Sequence, residues 1–359
     1  MISLFWISFF IIFYAFIGYG ILLYFLIKIK RAVKGKPVLP NNDNLPTCTL
    51  IVAAYNEERF IEEKIKNSLE LQYPEGRLKL IFITDGSSDG TANIVGSYKE
   101  IIHLHSPERK GKMAAVHRAI DTVDTDVMVF TDANTFLNED AIINICRHYS
   151  NPKVGAVAGE KRVLITEASD ATAGEGFYWK YESKLKVWDS ELYSVVGAAG
   201  ELFSVRTDLY EHVPPTAIID DFMISMLIAK KGYRIIYEPD AYAMEGASED
   251  VKEELKRKIR IAAGGLQSII WLKSLLLPFK MPVLSFQYIS HRVLRWTVVP
   301  FLMILLVVFN IILIHNDEGA IYQLFLAGQL MFYGMALFGW MLEAKQIKVK
   351  STNFLITDE

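Results

Sequence analysis

The sequence predicts an α/β domain with a mainly parallel sheet, accompanied by three transmembrane helices and amphipathic interfacial helices. Two observations predict this fold class. Apolar, β-branched runs alternate with amphipathic helical patterns between residues 46 and 250, and long uncharged apolar segments flank that region. Continuous apolar strands that alternate with helices are typical of a parallel sheet covered on both faces.

Three apolar segments are long enough to cross a bilayer. Residues 2–27 carry no charged side chain, and residues 296–314 and 320–342 are separated by a short acidic turn. At 1.5 Å per residue, such helices span a hydrocarbon core of roughly 30 Å. The first segment lacks the basic start and cleavage site of a signal peptide, so we interpret it as a retained anchor. Buried soluble helices are the alternative for all three segments.

Basic residues flank these segments on one side. Lysine and arginine are concentrated at 28–36, 291–295 and 345–350, whereas the turn at 315–319 is acidic. The positive-inside rule therefore predicts a multi-pass protein of the cell membrane with a cytosolic catalytic domain and an outside N-terminus. The expected order is transmembrane helix 1 (1–27), basic linker (28–45), cytosolic domain (46–250), interfacial helices (251–295), transmembrane helices 2 (296–314) and 3 (320–342), and cytosolic tail (343–359).

The pattern of the cytosolic region predicts its elements in order. The expected strands are 48–54, 78–84, 101–105, 127–131, 154–158 and a run ending at Arg206, and the expected helices are 57–71, 91–99, 112–121, 139–149 and 222–231. Ligands of such sheets bind at the carboxyl ends of the strands, and the polar motifs of this sequence fall there.

Composition excludes several classes of protein. With 52% hydrophobic residues among 359, the chain is too apolar to be disordered. Its 38 basic and 41 acidic side chains give a net charge of −3, which argues against a nucleic-acid partner. Cys48 and Cys146 lack a neighbour at metal-ligand spacing, and we expect buried thiols in a reducing compartment.

Two motifs follow the first strands. Ala54-Tyr55-Asn56-Glu57 ends the first strand, and Asp85 begins the run DGSSDGT after the second. A carboxylate after a strand can accept hydrogen bonds from a base or ribose, and glycines allow a ligand to approach closely. Lys112 ends the basic run RKGK at a helix start, which favours a bound anion such as a phosphate. A chance turn and a solvated basic loop are the alternatives.

Carboxylates recur farther along the chain. Asp132 and Asn134 offer oxygen ligands for a hard divalent cation at positions i and i+2. Small residues around Gly200 and Glu201 permit either close ligand approach or close packing. Asp220-Asp221 precedes a helix, where one carboxylate can act as a general base or both can act as helix N-terminal charges.

The order of these motifs resembles the family 2 glycosyltransferases of the GT-A fold over about residues 46–300. The closest likeness is to the membrane-embedded branch that contains cellulose, chitin and hyaluronan synthases and bacterial exopolysaccharide transferases. The resemblance implies nucleotide-sugar contacts by Ala54, Tyr55, Glu57, Asp85, Lys112, Asp132 and Arg260, a metal site for Mg²⁺ or Mn²⁺ at Asp132 and Asn134, catalysis by Asp221 as general base beside Asp220, and acceptor contacts by Gly200, Glu201, Gln267 and Trp271.

Two positions depart from the family pattern. Asn134 replaces the second aspartate of the DxD motif, so metal binding rests more on Asp132 and on phosphates. The QxxRW motif reads Arg257-Lys258-Ile259-Arg260-Ile261, which keeps Arg260 but lacks the aromatic acceptor platform. A later RVLRW at 292–296 is the alternative, although arginine and tryptophan are also ordinary interfacial anchors.

The resemblance implies an inverting, metal-dependent glycosyltransferase. A nucleotide-diphosphate sugar, expected to be a UDP-sugar, is the donor, and a growing polysaccharide or a lipid-linked sugar at the bilayer is the acceptor. Three spans per chain are few for a sugar-wide pore, so a homo-oligomer or an export partner is expected for polymer translocation. The alternative is a catalytically weak sugar-nucleotide-binding subunit that scaffolds a polysaccharide synthesis or export complex.

Overall fold

The computed structural model describes residues 1–164, 172–246 and 251–354. The strands of these residues are β1 (Cys48–Ala54), β2 (Leu78–Asp85), β3 (Ile102–Ser106), β4 (Val127–Asp132), β5 (Thr135–Leu137), β6 (Val154–Leu164), β7 (Leu202–Arg206) and β8 (Arg234–Gly246). The α-helices are α1 (Ile2–Phe13), α2 (Tyr19–Lys34), α3 (Ile61–Leu69), α4 (Thr91–Ser97), α5 (Lys112–Ile120), α6 (Ala141–Cys146), α7 (Thr172–Leu192), α8 (Asp220–Lys230), α9 (Val251–Trp271), α10 (Pro282–Tyr288), α11 (Leu294–Trp296), α12 (Val298–His315) and α13 (Ala320–Phe354).

The strands form one mixed sheet in the order β3-β2-β1-β4-β7-β6-β8-β5. Strands β1 to β4 pair in parallel, as the sequence predicts, and β6 pairs in parallel with β8. Strand β7 runs antiparallel between β4 and β6, and β5 is antiparallel to β8. The predicted α/β class is therefore confirmed, with an antiparallel part that the sequence pattern does not reveal.

Burial explains why the parallel strands are continuous apolar runs. Leu50, Ile51 and Val52 in β1 are at most 2% exposed, because helices cover both faces of the sheet. Cys48 and Cys146 are buried free thiols, as expected.

The chain divides into two compact units. One comprises residues 23–247 and 270–288 and contains the sheet, and the other comprises residues 1–22, 248–269 and 289–359. The domain boundaries predicted from the sequence remain a prediction. They are placed by motifs and charge, whereas these two units are defined by compactness.

Three helical segments are long and apolar enough to cross a membrane: Ile2–Lys34, Val298–His315 and Ala320–Met341. A π-helical turn at Tyr14–Gly18 interrupts the first of these segments. Such a turn shifts the pairing of backbone carbonyls, and the Ala15 carbonyl accepts a hydrogen bond from Arg295 Nε at 2.9 Å. Aromatic edge-to-face packing of Phe5 on Tyr322 joins the first and third segments.

Candidate active site

The predicted motifs meet at one edge of the sheet. Strand β1 lies between β2 and β4, and Ala53 is in register with Asp132 while Ala54 is in register with Thr84. Because these strands are parallel, their carboxyl ends lie side by side. The site is built from the loops that leave this edge.

The loops after β1 and β2 are joined by hydrogen bonds. Asn56 adopts a left-handed backbone conformation with φ 55°, and its side-chain oxygen accepts from the Ser88 backbone N–H at 2.8 Å. The Glu57 N–H donates to Thr91 Oγ1 at 2.9 Å. Asparagine tolerates this conformation better than most residues. The turn leaves the ring of Tyr55 partly exposed, with the Arg109 guanidinium 3.7 Å above it.

Asp85 organises the basic loop that follows β3. Its carboxylate is 4% exposed and accepts hydrogen bonds from the backbone N–H groups of Lys110 and Gly111, both at 2.8 Å. Gly86 has φ 66°, and its missing side chain makes room for the backbone of Arg109. The predicted contact of Asp85 with a base remains a prediction, and its observed partners are the RKGK run and the Arg118 guanidinium of α5, at 3.4 Å.

Lys112 and Asp132 form an ion pair across the edge of the sheet. Lys112 Nζ lies 2.7 Å from Asp132 Oδ1, and the two side chains are 52% and 33% exposed. Partial burial opposes the charge of Lys112, yet Asp132, Asp220 and Asp221 together raise its pKa. The ammonium is thus held charged among three carboxylates, in a position open to a negatively charged ligand.

Glu57 adds a fourth carboxylate near this pair. Burial raises the pKa of Glu57, and the neighbouring charges of Asp132 and Asp89 raise it further. The edge therefore carries more negative charge than Lys112 neutralises. An arrangement of this kind favours the arrival of additional cations.

Asp221 lies in the first turn of α8 and lines the cleft. Burial raises the pKa of Asp221 to about 7, and the adjacent charge of Asp220 contributes in the same direction. The Phe222 backbone N–H, which donates to Asp221 Oδ1 at 2.8 Å, opposes this shift. A carboxylate with a pKa near neutrality is well suited to accept a proton.

The glycine-rich segment before β7 packs against Asp221. A side-chain carbon at Gly200 would lie 3.2 Å from Asp221 Oδ2, so glycine leaves more room beside this carboxylate than any larger residue. The Ala198 N–H donates to Ser225 Oγ at 2.9 Å, which ties the segment to α8. The segment therefore packs closely against the first turn of α8, and the predicted ligand contacts of Gly200 and Glu201 remain predictions.

These side chains line one cleft. Its walls include Ala53, Lys112, Thr131, Asp132, Gly200, Phe203, Asp220 and Asp221. The structure therefore brings the predicted phosphate residue Lys112, the predicted metal residue Asp132 and the predicted base Asp221 to one cleft.

A buried network lies behind the cleft. Lys161 Nζ is 2.8 Å from Glu201 Oε1 and also pairs with Glu245, and its side chain is 5% exposed. The Asn134 amide donates to Glu245 Oε1 at 3.4 Å. Glu201, predicted to contact the acceptor, is therefore engaged with a buried lysine, and Asn134 is connected to a carboxylate of β8.

Lys64 is a second buried lysine near the edge of the sheet. It is fully buried in α3, and burial lowers its pKa to about 7, although the charge of Asp132 acts in the opposite direction. Its Nζ donates to the Thr135 carbonyl at 2.6 Å and to Thr131 Oγ1 at 3.2 Å. Lys64 thus contacts both ends of the segment that contains Asp132.

The described residues contain no cluster of three histidine, cysteine, aspartate or glutamate side chains that could hold a metal ion. Asp132 nevertheless fits a cation that takes one or two protein carboxylates and completes its coordination with phosphate oxygens and water. Its strand-end position and partial exposure leave room for such partners.

The remaining predicted residues lie on α9. Arg260 is exposed, and Gln267 and Trp271 are partly buried. The alternative RVLRW motif serves helix packing within its own unit, because Gly265 of α9 lies directly against the Trp296 ring and Arg295 binds the Ala15 carbonyl. These contacts support the interpretation of Trp296 as an anchor. The roles of Arg260, Gln267 and Trp271 stay predictions.

Comparison with known proteins identifies the domain. Residues 49–213 match the model of glycosyl transferase family 2, a range that runs from β1 through the loop after β7. The chain carries a family 2 glycosyltransferase domain. The matched range contains the Lys112–Asp132 pair and the glycine-rich segment, and the Asp220-Asp221 pair lies just beyond it.

Curated relatives of this glycosyltransferase domain are polysaccharide synthases. The poly-beta-1,6-N-acetyl-D-glucosamine synthase of Staphylococcus aureus strain COL is 28% identical over 262 residues, which cover 70% of this chain and 62% of the relative. The Staphylococcus epidermidis synthase of the same name is 25% identical over 307 residues, covering 82% of this chain and 73% of the relative. The match to the first relative thus spans less than two thirds of its length.

A solved structure shares the fold of this chain. The mannosyltransferase from Pyrobaculum calidifontis, in complex with GDP-Man and Mn²⁺, superimposes with a TM-score of 0.65 at 24% identity. The match covers 94% of this chain and 99% of that one. The predicted GT-A fold is confirmed.

Several residues of the candidate site are not apparent from the sequence. The local sequence around these residues is an ordinary helical or strand pattern, and their partners are distant in the chain. The nearest partner is 67 positions away for Lys64, 40 for Lys161 and 84 for Glu245. The only local signal is a lysine at a position that the helical period of α3 assigns to the buried face, beside Ile61 and Ile65.

Proposed function

We propose that the chain is an inverting glycosyltransferase that moves a sugar from a nucleotide-diphosphate sugar onto a growing polysaccharide at the membrane. The observation that carries the proposal is a single cleft that contains both Asp221, a carboxylic acid with a pKa of about 7, and the Lys112–Asp132 pair. The family match and the synthase relatives support the same class of reaction.

Asp221 is the proposed general base. It accepts the proton of the acceptor hydroxyl while that oxygen attacks the anomeric carbon and the bond to the nucleotide diphosphate breaks. An inverting transfer needs one such carboxylate, whereas a retaining hydrolase needs two that flank the bond. Gly200 keeps the space beside Asp221 open, and burial together with the charge of Asp220 raises the pKa of Asp221 to about 7.

Lys112 is the proposed partner of the diphosphate. Its ammonium is paired with Asp132 but exposed, so it can turn toward phosphate oxygens without crossing the protein interior. Asp132 would hold Mg²⁺ or Mn²⁺, with Asn134 as a neutral neighbour. A divalent cation supplies charge neutralisation for the departing diphosphate when it is bound.

The chemistry of the site and the relatives support a choice of donor and acceptor. We propose a UDP-sugar donor, and the relatives that make poly-beta-1,6-N-acetyl-D-glucosamine place N-acetylglucosamine first among the sugars to test. The GDP-Man in the mannosyltransferase structure makes that nucleotide the leading competitor. The three apolar helices support transfer at the cytosolic face of the cell membrane, to a glycan or lipid-linked acceptor, with a homo-oligomer or an export partner for polymer translocation.

A donor panel tests the proposal. Purified full-length protein in lipid nanodiscs is incubated with UDP-N-acetylglucosamine, UDP-glucose and GDP-mannose, each with Mn²⁺, Mg²⁺ or EDTA, and nucleotide release is measured. We expect release from one UDP-sugar that requires the metal, and sizing of the product separates single addition from polymerisation. Nucleotide binding without release from any donor would favour the scaffold alternative.

The matched variants are Asp221→Asn and Asp208→Asn. Loss of a general base lowers turnover by about 10²- to 10⁴-fold, so Asp221→Asn should reduce kcat by this amount and still bind nucleotide. Asp208 is exposed in the short helix after β7 and should tolerate the same change. Full turnover by Asp221→Asn would contradict the assignment of the base.

A further inference from the structure

Lys64 is the side chain of this domain whose burial most requires an explanation. It is fully buried in α3, between Ile61 and Ile65, which are themselves fully buried. Burying a lysine costs free energy that an apolar residue of similar volume would not cost. Its two hydrogen-bond acceptors in the described part of the chain, Thr131 Oγ1 and the Thr135 carbonyl, both belong to one short segment.

That segment, residues 131–135, carries Asp132 and Asn134 and is closed by its own hydrogen bonds. Thr131 Oγ1 lies 3.0 Å from Thr135 Oγ1, which donates to the Asp132 carbonyl at 3.0 Å. Lys64 Nζ reaches both ends of the same turn from inside the protein. The Lys64 ammonium therefore joins the two ends of the turn that carries Asp132 by hydrogen bonds.

Anchoring of the neighbouring strand does not require Lys64. Asn67, one turn later in α3, makes paired hydrogen bonds with the backbone of Leu137: its Nδ2 donates to the Leu137 carbonyl at 2.9 Å, and the Leu137 N–H donates to its Oδ1 at 2.8 Å. These two bonds already attach β5 to α3. Lys64 instead contacts Thr131 near the end of β4 and Thr135 at the start of β5, the two ends of the turn that carries Asp132.

Asp132 lies between two lysines, one with an exposed side chain and one with a buried side chain. Lys112 contacts it from the exposed side and can turn away, because its side chain is half exposed. Lys64 acts on it from the buried side, where close packing around a fully buried side chain holds one rotamer. When a ligand displaces Lys112, the position of Asp132 depends on the turn that Lys64 supports.

We propose that Lys64 is a positioning residue that fixes the Asp132 turn for the divalent cation and the diphosphate of the donor. This inference rests on the proposed function, since it assigns Lys64 to the metal side of the same site. It predicts that removal of the Lys64 donor group weakens metal binding more than it weakens the fold.

The test compares Lys64→Met with Lys66→Met in full-length protein. Methionine keeps the length of the side chain and removes the donor, and Lys66 is an exposed lysine of the same helix that pairs with Glu62. Binding of Mn²⁺ alone is followed by the loss of its free-ion EPR signal, then repeated with saturating UDP, and Tm is measured in parallel. We expect the Mn²⁺ Kd to rise at least about tenfold in Lys64→Met and to stay unchanged in Lys66→Met.

A double-mutant cycle separates positioning from a general structural role. In the Asp132→Asn background, Lys64→Met should produce no further loss of Mn²⁺ binding, because the group that it positions is absent. Equal losses in both backgrounds, or a lower Tm with an unchanged Mn²⁺ Kd, would overturn the inference. If Lys64→Met does not fold, Lys64→Leu, which also lacks a donor, provides the same comparison, with the same expected loss and the same contradicting result.

The outcomes also separate this inference from the proposed function. Wild-type protein that binds Mn²⁺ and releases nucleotide, together with a Lys64→Met variant that equals it in Mn²⁺ Kd, contradicts only the role of Lys64. Wild-type protein that neither binds Mn²⁺ nor releases nucleotide from any donor contradicts both.

Discussion

Asp221 carries a pH dependence that belongs to a single side chain. Burial and the adjacent charge of Asp220 raise its pKa to about 7, and a general base acts only when it is deprotonated. We therefore predict that kcat rises as the pH increases through about 7 and is constant above it. A rate profile between about pH 5.5 and pH 9 at saturating donor measures this limb.

Asp220→Asn is the control for that profile. It removes the neighbouring negative charge that contributes to the raised pKa of Asp221, so the limb should move to lower pH. A profile that is flat from about pH 6 to pH 8 in the wild type would contradict Asp221 as the base.

At the same scale, sequence reasoning finds residues whose role depends on local order and misses those that depend on distant contacts. Lys112 and Asp132 follow directly from motifs at strand ends, and the structure pairs them. Lys161 and Glu245 are 84 positions apart, and only the pairing of β6 with β8 brings them together. No local pattern of spacing or charge encodes such a pair.

The segment before β7 is the element that sets the space around the first turn of α8. Gly197 has φ 80°, and a side-chain carbon there would collide with the Phe222 ring next to Asp221. We predict that Gly197→Ala lowers stability by about 1–3 kcal/mol through overpacking and also lowers kcat, because Phe222 must move. Thermal unfolding and turnover of the purified variant measure the two effects.

Gly232 provides a matched control for this prediction. It has φ 98°, but a side-chain carbon at this position would meet no atom within 4 Å, so Gly232→Ala strains the backbone without displacing a neighbour. We expect a loss of about 1 kcal/mol in stability and unchanged kcat. A Gly197→Ala variant with wild-type kcat would show that the position of Phe222 does not matter for turnover.

Strand β8 shows why part of the sheet escapes prediction from the sequence. Its 13 residues include Pro239, and a proline inside an apolar run argues against a strand. The structure accommodates it where the register with β6 shifts, between the pairs Gly159–Glu238 and Glu160–Tyr242. A bulge of this kind depends on the partner strand, which the local sequence does not specify.

Over the whole molecule, the average composition conceals the division of the chain into long apolar helices and a sheet domain with charged loops. The 52% of hydrophobic residues combines the core of the sheet with three long apolar helices, and the net charge of −3 combines basic flanks with carboxylates at strand ends. The existence of both parts follows from hydropathy and periodicity alone. Their contacts within each unit, such as Phe5 on Tyr322, require the structure.

The orientation of the chain in the membrane is the prediction of largest scale. The basic segments at 28–36 and 291–295 predict a cytosolic sheet domain and an outside turn at 315–319. Both native cysteines are buried, so single cysteines can be introduced without a large labelling background. We predict that Asn316→Cys reacts with a membrane-impermeant maleimide on intact cells, whereas Val38→Cys, at a 91% exposed position, reacts only after permeabilisation. Unmodified protein gives the background in both conditions, and labelling of Val38→Cys on intact cells would contradict a cytosolic site and with it the use of a cytosolic sugar nucleotide.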